Sequence, residues 1–115
     1  MQYMLLCYHD EKRWEALPEA QRDQVMDAYG KWTQDIVKSG HFRASAKLRP
    51  TSATTSVREH HGKRVVLDGP FAETKEQLGG FHIIDVPDLD SALAWAARCP
   101  SVRRGVVEVR PVWPV

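Results

Sequence analysis

The sequence lacks the features that mark several specialised classes of protein. It has two cysteines and no apolar run near the roughly 20 residues that span a bilayer. Its N-terminal segment has neither a basic region nor a cleavage site. Sixteen Lys and Arg residues against fifteen Asp and Glu residues leave a net charge of +1, with both signs scattered along the chain. Membrane and nucleic-acid partners are therefore not expected, and we predict a cytoplasmic protein.

Cofactor and metal signatures are also missing. Neither a Walker A pattern nor GxGxxG occurs, and no His is spaced from Cys, Asp or Glu as in a typical metal site. We therefore expect no cofactor and no metal. Cys7 lies in an apolar, strand-like run and Cys99 follows a helix-like segment, without CxxC spacing. Both thiols are expected to be free and reduced.

The length of 115 residues is enough for one domain with one core, over residues 1–115. Residues 2–8, QYMLLCY, are short and apolar on both alternating faces, which predicts a central strand. A helix is predicted over residues 18–39, and Gly30 inside it is expected to mark a close packing contact. The apolar stripe of this helix, at spacings of four, three and four, consists of Val25, Tyr29, Trp32 and Ile36.

The rest of the chain reads as further strands and a second helix. RASAKLRP and TSATTSVREH are extended pieces, HHGK is a tight turn into RVVLD, and GGFHIIDV and GVVEVRPVW are strands. Asp88 is the expected N-cap of a helix whose apolar stripe is Leu89, Ala92, Leu93 and Ala96. This order predicts an α+β, ferredoxin-like sandwich, with an antiparallel sheet, two helices on one face and an inserted β-hairpin.

The predicted helices cover only one face of the sheet, although its central strands are apolar on both. A second copy of the chain is the simplest cover for the other face. We therefore predict a symmetric homodimer, a dimeric α+β barrel, with a cavity between the sheet and the partner subunit.

Five segments in the same order resemble a DGPF-domain protein of the YCII-related family: YMLLCY, ATTSVRE, VVLDGPFAETKEQLGGFHIID, DLDSALAWAARCP and VEVRP. The resemblance covers nearly the whole chain, and it implies a ferredoxin-like domain that dimerises as an α+β barrel. It also implies an extracytoplasmic-function sigma factor as a candidate partner. Some relatives carry a His and Asp pair with the His on the first helix, but residues 18–39 contain no His. That pair cannot be transferred to this chain.

Two candidate site residues lie in the DGPFAETKEQLGG segment. Asp68 either caps a chain-reversing turn or stands at the mouth of the cavity as a polar anchor or catalytic base. The run from Glu73 to Gln77 reads as a short helical turn on the surface. Alternatively it forms a lid in which Lys75 binds an anionic substrate group while Gly79 and Gly80 act as hinges.

Three further candidates lie on predicted helices and strands. His82 shares a strand face with Ile84 and is either a hydrogen-bonded core histidine or a general base. Tyr29 is assigned to the core, from which it could also line the cavity. Arg110 either joins a charge cluster with Glu108 and Asp85 at the dimer interface or recognises a substrate carboxylate.

Three functions remain open on these residues. The first is a metal-free enzyme on a small anionic molecule, with His82 or Asp68 as the base and Lys75 or Arg110 holding the anion. The second is a non-catalytic regulatory module that binds a ligand or a protein such as a sigma factor. The third, a cofactor-free oxygenase, rests on fold analogy alone.

Overall fold

The computed structural model describes residues 1–114, which form six strands and three α-helices. Two 3₁₀ turns, Thr51–Ala53 and Pro100–Arg103, lie between them. In chain order the elements are β1 Gln2–His9, α1 Glu11–Glu15, α2 Glu19–Ser39, β2 Phe42–Lys47, β3 Thr55–His60, β4 Lys63–Asp68, β5 Gln77–Asp85, α3 Leu89–Ala97 and β6 Gly105–Pro111.

The main sheet has the strand order β2-β5-β1-β6, and every neighbouring pair in it is antiparallel. Two β-α-β halves, β1-α2-β2 and β5-α3-β6, interleave so that the first strand of each half lies in the centre. The hairpin β3–β4, which lies between the two halves in the sequence, forms a separate two-stranded sheet. The predicted α+β, ferredoxin-like architecture with an inserted hairpin is confirmed.

The core lies between the sheet and the long helices. Alternation along β1 and β5 turns Leu5 and Ile84 toward the helices, where both side chains are fully buried. The stripe on α2 meets them, with Trp32 and Ile36 buried. The Trp32 indole donates a hydrogen bond to the Trp95 carbonyl at 3.0 Å, which ties α2 to α3. Among residues 1–114, no helix combines the length and apolarity that crossing a membrane would need.

Helix α3 is the second of the two helices predicted from the sequence. It begins where the sequence predicts, but only half of its predicted apolar stripe is buried. Asp88 is the N-cap, and its carboxylate accepts a hydrogen bond from the Ser91 backbone N–H at 2.8 Å. This hydrogen bond lowers the pKa of Asp88. Ala92 and Ala96 are buried as expected, whereas Leu89 and Leu93 are exposed, so the predicted stripe is half wrong.

Asp88→Ala is expected to lower the unfolding temperature by roughly 4 °C, because the first turn of α3 loses its only side-chain cap. Asp90→Ala is the matched control, since Asp90 lies in the same turn without the capping role. Thermal unfolding of the two variants measures the difference, and equal midpoints would contradict it.

The hairpin projects from the body of the protein. Its two-residue turn has positive φ at His61 (49°) and Gly62 (76°). A turn of this kind matches the right-handed twist of the two strands that it joins, and the tight turn predicted from HHGK is confirmed. Apart from the contacts between the two strands, β3 and β4 make few contacts with the other helices and strands. The radius of gyration is accordingly 16.1 Å, against about 13 Å for a compact domain of this length. Apolar side chains on the hairpin and just after it are exposed: Val57, Val66, Leu67 and Phe71.

The sheet face opposite the helices is apolar and half-exposed. Met4 and Leu6 on β1, and Phe81 and Ile83 on β5, alternate with the buried residues and are only partly covered. This observation agrees with the premise of the homodimer prediction. The dimer itself stays a prediction.

Three local expectations are wrong. Residues 73–77 form no helical turn, because the chain runs irregularly to Glu76 and then enters β5. Gly79 and Gly80 lie inside β5 rather than at a hinge, and an added Cβ at Gly80 would lie 2.8 Å from the Ala46 carbonyl oxygen. Gly30 marks no close contact, since an added Cβ there would meet nothing within 4 Å.

Candidate functional site

An open-sided cavity of about 540 Å³ lies on the helix-covered side of the sheet. Its walls are α1, the first part of α2, the end of β2 with the segment after it, the start of β5, and the turn Pro100–Arg103. The cavity is therefore built within one chain. The second cavity, predicted between the sheet and a partner subunit, needs a partner and stays a prediction.

The short helix α1, which the sequence analysis missed, forms one side of this cavity. Asp10 begins the helix, and its carboxylate accepts hydrogen bonds from the backbone N–H groups of Lys12 (3.0 Å) and Arg13 (3.2 Å). Glu11 then anchors the opposite wall by accepting hydrogen bonds from the Thr51 backbone N–H (2.9 Å) and hydroxyl (2.7 Å). Trp14 on α1 lines the cavity.

His82 is the most distinctive polar group in the wall. It lies on β5 with 8% of its surface exposed, and its ring packs on Trp32 with a centroid distance of 4.6 Å. The Thr33 hydroxyl and His82 Nε2 are hydrogen-bonded at 2.9 Å. The second ring nitrogen, Nδ1, is buried and has no hydrogen-bond partner among the described residues. Such an unpaired buried group costs free energy unless something else satisfies it.

Burial lowers the pKa of His82 to about 4, because the charged imidazolium would lose its hydration. The imidazole is therefore neutral at neutral pH. One ring nitrogen then donates a hydrogen bond and the other accepts one. With Nε2 bonded to Thr33, Nδ1 is the ring nitrogen that has no partner among the described residues.

Tyr29 lies on α2 one turn before Thr33 and also lines the cavity. Its ring packs edge-on against Trp32, with centroids 6.1 Å apart. Its hydroxyl contacts the Cys99 thiol at 3.7 Å. Burial, followed by the neighbouring cysteines, raises the pKa of Tyr29, so the phenol stays protonated and can donate a hydrogen bond.

The charges around the cavity are predominantly positive. Two carboxylates, Glu11 and Glu15, lie in its walls. None of the four cations there forms an ion pair within residues 1–114. These cations are Arg22, Lys47, Arg49 and Arg104. Arg22, Arg49, Arg104 and Thr33 were not identified in the sequence analysis.

Only two of the five predicted site residues meet in this cavity, Tyr29 and His82. Asp68 ends β4 on the projecting hairpin, and Lys75 lies in the irregular segment before β5; both are exposed. Arg110 is exposed on β6 and is paired in register with Met4. Asp68, Lys75 and Arg110 are therefore not part of the cavity around His82.

The predicted charge cluster of Asp85, Glu108 and Arg110 does not form within the described chain. Asp85 instead pairs with the N-terminal ammonium group at 3.1 Å and with Arg43 at 3.5 Å. The N-terminal ammonium group is also the main cause that lowers the pKa of Asp85. Among residues 1–114, His, Cys, Asp and Glu side chains do not gather in groups of three that could hold a metal ion.

Comparisons with known proteins identify the family. The family model of the YCII-related domain matches residues 1–115. An uncharacterized protein of Rhizobium meliloti (strain 1021) is 40% identical over 114 residues, covering 97% of this chain and 92% of that protein.

A solved structure is similar in fold. It is the 5-chloro-2-hydroxyhydroquinone dehydrochlorinase of Burkholderia phenoliruptrix AC1100 in complex with 2,5-dihydroxybenzoquinone. The match has a TM-score of 0.57 and 11% identity, and it covers 99% of this chain and 94% of that chain. The family match over the full length and the close relative together decide the assignment: the chain belongs to the YCII-related domain family.

Proposed function

We propose that this protein binds a small anionic organic molecule in the cavity between α2 and the sheet, and that His82 hydrogen-bonds to it. The observation that carries the proposal is a cavity of about 540 Å³ whose wall includes His82, a histidine with one ring nitrogen unpaired among the described residues. A cavity of this size with few convergent polar groups is typical of small-molecule sites. A ligand that displaces the side chains covering this nitrogen would give it a hydrogen-bond partner.

The charge of the ligand follows from the walls. The four cations around the cavity outnumber its two carboxylates, and Glu11 already has both oxygens committed to Thr51. An anionic group such as a carboxylate or phenolate would therefore gain attraction there. The arginines can bind such a group through two parallel hydrogen bonds.

The remainder of the ligand would contact apolar side chains. Trp14, Val25, Met26 and Leu48 line the same cavity, so a compact hydrocarbon or aromatic skeleton fits them. The dehydrochlorinase with a similar fold acts, by its name, on a small substituted hydroquinone. Because only the fold is shared, this parallel supports the general class of ligand and no particular reaction.

An enzymatic role would use the neutral form of His82. With a pKa of about 4 in the free protein, His82 accepts a proton weakly, but an anionic ligand beside it would raise that pKa and strengthen it as a base. Tyr29, protonated and in the same wall, would donate a hydrogen bond to negative charge that develops on the ligand. Metal-free proton transfer is the reaction class that these two groups support.

We also propose that the protein is a homodimer. The half-exposed apolar sheet face and the projecting hairpin support this proposal. In that dimer, Asp68, Lys75 and Arg110 would act at the surface between subunits. A regulatory protein-interaction module is the second candidate function, because Val57 and Phe71 are exposed on or beside the hairpin. A sigma factor is the partner that the family resemblance implies.

The proposed function is tested by a thermal-shift screen of small carboxylates and phenols. A ligand at 100 times its Kd stabilises the protein by about 2.7 kcal/mol, enough to raise the unfolding temperature measurably. We expect hits with the wild type that His82→Gln and Arg22→Gln both lose. Arg58→Gln, an arginine change on the exposed hairpin outside the cavity, is the matched control and should keep them.

The screen also separates the two candidate sites. Hits that persist in His82→Gln but disappear in Asp68→Asn or Lys75→Ala would move the site to the end of the hairpin and the segment before β5. No hit with any compound, together with binding of a protein to the hairpin, would favour the regulatory module.

A further inference from the structure

The two cysteines of the chain meet in the core although 92 residues separate them. Cys7 lies in the second half of β1 and faces the helices; Cys99 follows α3 and directly precedes the turn Pro100–Arg103. Their Sγ atoms are 3.8 Å apart, and the two residues are only 4% and 1% exposed. A disulfide needs the sulfurs about 1.8 Å closer, a displacement on the scale of side-chain rotation.

The two sulfurs differ in access. Cys7 lines the wall of the cavity beside α2, whereas Cys99 is not part of that wall and lies behind it. A small molecule inside the cavity therefore reaches Cys7 first. Tyr29, from the same wall, contacts Cys99 through its hydroxyl at 3.7 Å.

We propose that Cys7 and Cys99 form a redox-active dithiol, which closes into a reversible disulfide when hydrogen peroxide or a comparably small peroxide enters the cavity. The proposal is independent of the cavity's ligand, because it rests on the contact between the two thiols and on the access to one of them. It also differs from the expectation for two isolated thiols, which would stay reduced.

The ionisation of the pair is consistent with this chemistry. The hydrogen bond with Cys99, together with burial, raises the pKa of the Cys7 thiol. The same hydrogen bond lowers the pKa of Cys99 to about 6, against the effect of burial. The first proton is therefore lost from the pair as a whole. Passing the remaining proton from Cys7 to Cys99 puts the thiolate on the sulfur that faces the cavity.

Oxidation then proceeds in two balanced steps. The Cys7 thiolate attacks one peroxide oxygen, an S–O bond forms, the O–O bond breaks, and hydroxide leaves and takes up a proton to become water. Cys99 then attacks the Cys7 sulfur, an S–S bond forms, the S–O bond breaks, and a second water leaves. The two thiols are oxidised to one disulfide, and the peroxide is reduced to two waters.

The test exposes the native wild-type protein to an equimolar amount of hydrogen peroxide. Intact-mass measurement is expected to show the loss of two hydrogens from most of the protein. Peptide mapping without reductant should join the peptide of Cys7 to that of Cys99, and dithiothreitol should reverse the link. Two thiols that both remain free for alkylation after unfolding would overturn the proposal, as would oxidation that yields only links between chains or sulfinic acid.

Single-cysteine variants test the order of the two steps. Cys99→Ser removes the second thiol, so the sulfenic acid on Cys7 should persist and be captured by dimedone. Cys7→Ser removes the accessible thiol, and Cys99 should then stay unlabelled under the same treatment. Labelling of Cys99 in Cys7→Ser as fast as that of Cys7 in Cys99→Ser would overturn entry through the cavity.

Discussion

Gly105→Ala is expected to cost about 3 kcal/mol of unfolding free energy, because β1 leaves no room for a side chain at the start of β6. An added Cβ would lie 1.9 Å from the Tyr8 carbonyl oxygen and 2.9 Å from the Tyr8 carbonyl carbon. The obstacle is backbone, which cannot rotate away as a flexible side chain can. The two strands would have to separate where Gly105 pairs in register with His9.

Urea unfolding at neutral pH measures this cost, and a second glycine gives the matched control. Gly30 lies inside α2, where an added Cβ meets nothing within 4 Å. Gly30→Ala should therefore stabilise the protein by about 1 kcal/mol, since Ala is the better helix former. A Gly105→Ala protein within about 0.5 kcal/mol of the wild type would show that β1 and β6 adjust without separating.

Most of the fold could be predicted from local patterns. A short run that is apolar on both faces identified β1, and alternation identified β6. The spacing of Trp32 and Ile36 identified α2, and the HHGK turn identified the hairpin. The signals for α2 and β6 are strong because their apolar residues recur at the spacing of one helix face or one strand face. The order of the elements then left few topologies, and the ferredoxin-like one is observed.

The errors arose where periodicity says little. Helix α3 has apolar residues on nearly every face. The pattern therefore could not show that Ala92 and Ala96 face inward while Leu89 and Leu93 face outward. The missed helix α1 has only five residues, too few for a periodic signal. Its one sequence signal was Asp10, an N-cap residue that precedes a charged run.

The candidate site was predicted only where a single element carried the signal. His82 was found because it alternates with apolar neighbours on β5, and Tyr29 because it lies on the stripe of α2. Thr33 lay within reach of the same reasoning, as the polar residue one helical turn after Tyr29. Arg22, Arg49 and Arg104 come from three separate parts of the chain, and only the tertiary fold brings them together.

The contact between the two cysteines is another feature that only the tertiary fold produces. Judged from the sequence, Cys7 and Cys99 lacked the CxxC spacing of a typical redox pair. The fold brings them to 3.8 Å because β1 is central in the sheet and the turn after α3 contacts it. A sequence separation of 92 residues carries no such information.

The stability of the protein should fall as the pH is lowered from 6.5 to 4, and His82 should account for about 3 kcal/mol of the loss. In the unfolded chain its imidazole takes up a proton near pH 6.5. In the folded protein burial delays protonation until about pH 4. Between these values the unfolded state binds more protons, so acid favours unfolding. The contribution of neutral His82 is complete above pH 6.5 and is lost as the pH falls.

Urea unfolding of the wild type and His82→Asn at pH 7, 6, 5 and 4 isolates this contribution. The carboxylates of Asp85 and Asp88, whose pKa values are also lowered, affect the wild type and the variant alike at the acid end. The difference between the two proteins should therefore narrow steadily from pH 6.5 to pH 4. Val57→Asn, a change on the exposed hairpin that removes no titratable group, should keep the wild-type slope. If wild type and His82→Asn lose stability in parallel, burial does not keep the imidazole neutral at pH 5, and the proposed hydrogen bond between Nδ1 and a ligand loses its basis.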